Sequence, residues 1–149
     1  MKDLTKYVNR AVSATGQGIK YKLGKGGYFP NDPLPTRTGT CDCSGFVAWV
    51  LGTSRIPKPT RLWWLETTNV YRDATIKQKV FVQIDKAVPG CIVVFPDKNG
   101  HEGHIGIVET VNSFNTYTVI DCASKGITVQ SGRYFRANKA IFCILKQDV

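Results

Sequence analysis

The chain has 149 residues, 42% of them hydrophobic, five cysteines and a formal net charge of +9. That length suits one domain, residues 1–149, around one core, and the hydrophobic share is ordinary for a globular protein. The 20 lysines and arginines form no run of five or six, which argues against a basic nucleic-acid arm while leaving an excess that steers the protein toward anionic envelopes.

In chain order, Leu4, Tyr7, Val8, Ala11 and Val12 share one helical face, with Asp3 as cap and Gly16 as stop. The residues after Met1 form a charged amphipathic segment and no apolar signal region, and no later stretch is long enough to span a bilayer. The chain as given therefore shows no export signal. A target outside the cytoplasm would require delivery or release by other means. Residues 26–39, with Pro30, Pro33 and Pro35, predict a long irregular loop that forms one wall of a cleft.

The informative stretch is Thr40-Cys41-Asp42-Cys43-Ser44-Gly45-Phe46, followed by Val47, Val50 and Leu51 at the spacing of one buried helical face and by Gly52 as stop. Asp42 and Ser44 are good N-cap residues, so the helix starts near Cys43. A thiol there faces free backbone N–H groups at the positive end of the dipole, which predicts a lowered pKa and a nucleophilic role. A second helix is predicted over residues 61–66, capped by Thr60 after the break at Pro57 and Pro59. One of Trp63 and Trp64 lines the groove or lies half-buried at the surface.

The second half changes period. Residues 80–84, 91–95, 104–111, 117–121, 127–130 and 140–145 are short β-rich runs between turn residues. Helices first and an antiparallel sheet after them make an α+β domain. Only two histidines serve as candidate bases: His101 lies in a polar turn, whereas His104 opens the apolar run Gly103-His104-Ile105-Gly106-Ile107-Val108. The five cysteines contain no CxxC pair and are taken as reduced.

Asp42-Cys43-Ser44-Gly45-Phe46 and Gly103-His104-Ile105-Gly106-Ile107-Val108 resemble the two signature motifs of the NlpC/P60 cysteine peptidases. Tyr21-Lys22-Leu23-Gly24 and Pro89-Gly90-Cys91-Ile92-Val93 are similar to two further stretches of that family, in the same order. The resemblance implies a papain-like fold of N-terminal helices on an antiparallel sheet. It also implies hydrolysis of amide bonds in peptidoglycan stem peptides through a thioester, with no cofactor and no metal. Cys43 and His104 take the family's catalytic places, and Tyr21, Asp42 and Ser44 are candidates for holding substrate or oxyanion. The third catalytic group falls at Asp121, the chemically sensible choice, or, one residue on, at Cys122; the family usually has histidine here. Cys91 stands where aspartate is common and reads as structural. Size and charge suit a phage lysin, an injected antibacterial effector or a released domain, acting at the wall or periplasm, and the oligomeric state expected is a monomer.

Two other readings use the same residues. Acyl transfer to an amine or lipid needs the same cysteine and histidine. Cys41, Cys43, His101 and His104 are also four ligands of types that zinc accepts, although their spacing matches no common finger.

Overall fold

In the computed structural model, which describes residues 1–114 and 116–149, four short helices surround one six-stranded antiparallel sheet, an α+β arrangement. Helix α1 (Thr5–Ser13) begins where Asp3 accepts bonds from the Thr5 N–H at 2.9 Å and hydroxyl at 2.6 Å. Its buried stripe is Leu4, Tyr7, Ala11 and Ala14, whereas Val12, expected on that stripe, is 44% exposed. The helical repeat carries the stripe from Ala11 to Ala14 and turns Val12 outward. Tyr7 donates to buried Asp148 at 2.6 Å, tying the helix to the far end of the chain.

Two short strands, β1 (Lys20–Tyr21) and β2 (Thr40–Cys41), pair in parallel and set Tyr21 beside Cys41. Helix α2 (Cys43–Val50) follows at once, and all eight of its residues are buried, not one face alone. The loop between β1 and β2 covers its outer side: Trp49 donates to the Asp32 carbonyl at 2.8 Å, and the backbones at Gly26, Gly27 and Gly45 touch. A Cβ on Gly27 would lie 2.4 Å from the Gly45 oxygen, and one on Gly45 would lie 2.6 Å from the Gly26 oxygen.

Residues 61–66 are not the expected helix. Arg61 exchanges two backbone bonds of 2.8 Å with Lys58, and its buried guanidinium donates to the carbonyls of Ser54, Ile56 and Trp63, which holds the segment extended. The helix starts later, as α3 (Thr67–Arg72), where Glu66 accepts from the Asn69 N–H at 3.3 Å. Trp63 packs on Phe81 and Trp64 is the exposed one of the pair.

Strands β3 (Phe81–Ile84), β4 (Ile92–Phe95), β5 (His104–Val111), β6 (Tyr117–Ala123), β7 (Gly126–Ser131) and β8 (Ile141–Leu145) fall on the six predicted runs with ends moved by one or two residues. Their order in the sheet is β3-β8-β4-β5-β6-β7. Helix α4 (Arg133–Ala137), between β7 and β8, was not predicted, because five residues are too few to display a helical period. Side chains alternate between faces along β5. His104 turns to the face covered by α4, where Phe135 stacks on it, and Ile105 and Ile107 turn to the face on which the segment carrying Cys41 lies.

Candidate active site

The mouth of α2 is built on one carboxylate. Asp42 Oδ1 accepts from the Gly45 N–H at 2.8 Å, which caps the helix, and Oδ2 accepts from the Gly24 N–H at 2.8 Å, which pins the preceding loop. Buried Arg55 grips both oxygens, at 2.8 and 3.0 Å, and also donates to Ser44 Oγ and to the Lys25 and Gly26 carbonyls at 3.1 Å each. Asp42 and Ser44 line the cavity over Cys43, but their side chains are held by Arg55. Through these bonds the two side chains fix the loop and the helix start.

The thiol is less acidic than its position suggested. Burial, and then the Asp42 charge, push the Cys43 pKa up to about 12, against the pull of the Ile105 and Ser44 N–H groups. The two N–H groups at the sulfur therefore do not offset desolvation and a neighbouring carboxylate. The sulfur lies against the start of β5, and among the described residues no hydrogen bond joins it to the imidazole.

The other half of the site is built across strands. His104 Nε2 and Asp121 Oδ2 are 2.6 Å apart, with Asp121 fully buried. Gln130 Nε2 donates to the same carboxylate oxygen from β7. Phe135 stacks on the imidazole at 5.3 Å and Tyr134 meets its edge at 6.1 Å, so the ring is clamped with Nδ1 as its nitrogen without a bonding partner among the described residues. The register of β5 on β6, Ile107 opposite Ile120 and Val108 opposite Val119, puts Asp121 on the face of His104. Cys122 points the other way and donates to the Cys41 carbonyl at 3.2 Å. Gly106 leaves the room this pairing needs: a Cβ there would come 2.4 Å from Val119 and 3.2 Å from the Asp121 Cβ.

Two concavities meet over these groups, one of about 280 Å³ lined by Cys43 and one of about 400 Å³ lined by His104. Tyr21, Glu102 and Gly103 belong to both. Tyr21 is thus the bridge between the halves, and burial, followed by the nearby Cys43, raises its pKa to about 12, so its hydroxyl remains a donor at neutral pH. The zinc set does not assemble: Cys41 donates to the Asp42 carbonyl at 3.3 Å and His101 sits exposed in a turn bonded to Lys98. Among the described residues no three His, Cys, Asp or Glu side chains are grouped to hold a metal. All five cysteines are free thiols.

Arg55, Gln130 and Phe135 were missed in the sequence. Each reaches the site through tertiary contact from a segment with no motif, and an arginine after a helix end carries no local sign that it is buried.

A family model, the CHAP domain, matches residues 34–123, more than half of the chain. The chain belongs to the CHAP family, whose members are related to the NlpC/P60 cysteine peptidases that its motifs resemble. The matched segment contains Cys43, His104 and Asp121. Family membership points to a hydrolase of peptidoglycan, through amidase or peptidase chemistry. No curated protein matches the chain.

Proposed function

We propose that the chain is a papain-like cysteine hydrolase that cuts amide bonds in peptidoglycan stem peptides, with Cys43 as nucleophile, His104 as base and acid, and Asp121 as the group that orients His104. The observation that carries the reading is the 2.6 Å contact between His104 on β5 and buried Asp121 on β6, with the N–H of Ile105, the residue after His104, directed at the Cys43 sulfur. With Nε2 engaged by Asp121, Nδ1 is the nitrogen left for the thiol.

The high thiol pKa sets the order of events. Cys43 rests protonated, so His104 removes the proton as the sulfur attacks the amide carbon, instead of storing an ion pair beforehand. The Cys43 and Ser44 N–H groups at the helix mouth, with the Tyr21 hydroxyl that lines the same cavity, receive the oxyanion in this reading. His104 then protonates the departing amine and activates the water that hydrolyses the thioester. Asp121 and Gln130 keep the ring aimed through both steps. Such a substrate places the working enzyme at the wall or periplasm, reached by delivery or release. The test is incubation of wild type and Cys43→Ala with purified peptidoglycan and mass spectrometry of the released fragments. New stem-peptide fragments from wild type alone support the reading, and release by both proteins or by neither removes it.

A further inference from the structure

A cavity of about 440 Å³, larger than either half of the cleft, opens at the opposite end of α2 from Cys43. It shares no lining residue with the two concavities of the cleft, and the eight-residue helix between them spans about 12 Å. Lys58, Lys79, Lys146 and Arg61 line it together with the hydroxyls of Thr53 and Thr60, and no aspartate or glutamate does. Among the described residues none of these four cations forms an ion pair. Arg61 is held in place by backbone carbonyls and supplies fixed charge, while Lys58 spends one donor on Thr53 at 2.7 Å.

Lysines also gather at helix C-termini for the sake of the dipole, and Leu51 and Gly52 bring that end of α2 to the cavity. The dipole accounts for about half a negative charge, against four positive ones. The carbonyls of Val47, Ala48 and Trp49 are in addition already bonded by the N–H groups of Leu51, Thr53 and Gly52. The buried Asp73 carboxylate accepts from the Lys79, Val80 and Phe81 N–H groups behind the cavity wall, but no carboxylate lines the cavity itself, and the four cations still outnumber the negative charge beside them.

The three lysines are exposed, so none of them holds a single small anion by burial. They suit a chain of anions that engages several at once. The one aromatic lining residue, Phe81, is fully buried and offers no face on which a base could stack. We propose that this cavity docks a flexible phosphodiester polymer without bases, the polyol-phosphate type of envelope chain. The choice of envelope polymer rests on the hydrolase reading above, whereas the binding itself does not.

The experiment is calorimetric titration with a synthetic hexamer of glycerol phosphate at several salt concentrations. Wild type is compared with the triple variant Lys58→Gln, Lys79→Gln, Lys146→Gln and with a charge-matched control, Lys86→Gln, Lys98→Gln, Lys125→Gln. The cavity variant is expected to lose at least about tenfold in affinity and about two units of the log–log salt slope, from three contacts at roughly 0.7 each, while the control loses less than about threefold. Equal losses in the two variants, no binding by wild type at low salt, or tighter binding of a thymidylate hexamer would overturn the proposal. Wild type that binds the hexamer yet cuts no wall peptide supports the docking site and counts against the hydrolase reading alone.

Discussion

The two walls of the cleft are made in opposite ways. The helix wall is local: Asp42 caps α2, the same carboxylate pins Gly24, and Cys43 follows one residue later. The strand wall is assembled from distant residues: His104 from β5, Asp121 from β6, Gln130 from β7 and Phe135 from α4. A local wall positions its group by backbone geometry, whereas an assembled wall depends on register, in which a shift of one residue would replace Asp121 by Cys122. The helix wall therefore concentrates the chemistry in one atom, and the strand wall spreads the aiming of one ring over several side chains.

The largest effect is expected on the helix wall. Cys43→Ala should lower turnover of wall peptide roughly 10³-fold or more with an unchanged fold, because no other thiol lines the cleft. Fragment release above a few per cent of wild type would sink the nucleophile assignment. Next comes the strand wall, where Asp121→Ala is expected to cost about 10²–10⁴ in kcat, since it frees the imidazole to choose tautomer and direction. Cys122→Ala, one residue along on the other face, should cost about 1 kcal/mol of stability and leave kcat within about threefold. Parallel kinetics on the two variants read the register directly, and equal losses would dissolve the distinction.

The same contrast explains what was legible in the sequence. Cys43 and the start of α2 could be placed because the cap, the small residues and the apolar helix are contiguous, and the six strands because runs of β-branched and aromatic residues between turn residues mark them whatever the turn length. Residues 61–66 misled because Thr60 after the break at Pro57 and Pro59 looks like a helix cap, while the buried Arg61 that holds them extended has no sequence signature. The thiol pKa was read with the wrong sign. Position at a helix mouth is visible in sequence, but burial beside Asp42 is visible only after folding. Gln130 and Phe135 were invisible because they meet His104 and Asp121 only through pairing across β6 and β7 and the fold-back of α4.

Arg55 tests whether the helix wall is as local as it looks, since it joins that wall from beyond α2. Arg55→Leu leaves Asp42 buried with its charge uncompensated, and a loss of about 3–5 kcal/mol in unfolding free energy is expected by denaturant titration. A loss below about 1 kcal/mol would mean that the Gly24 and Gly45 N–H groups hold Asp42 unaided.

The smallest effect is a pH slope. Cys43 and Cys91 have pKa values raised to about 12 from 9.0, and Cys41 and Cys143 are also raised, chiefly by contact with Cys122 in the first case and by burial in the others. Below pH 9 these thiols are protonated in folded and unfolded chains alike, and their contribution to stability is complete. Between pH 9 and about 12 the unfolded chain releases protons that the folded chain keeps, so stability falls as pH rises, by up to about 1.4 kcal/mol per pH unit for each thiol. Cys43→Ala removes one such proton, so its stability should fall less steeply than that of wild type over pH 9.0–10.5 in denaturant titrations. Parallel slopes would show that Cys43 ionises as readily in the folded chain as in the unfolded one. His104 would still have to take the proton at neutral pH, where a thiol of ordinary pKa is protonated, but without the added cost that burial imposes on the thiolate.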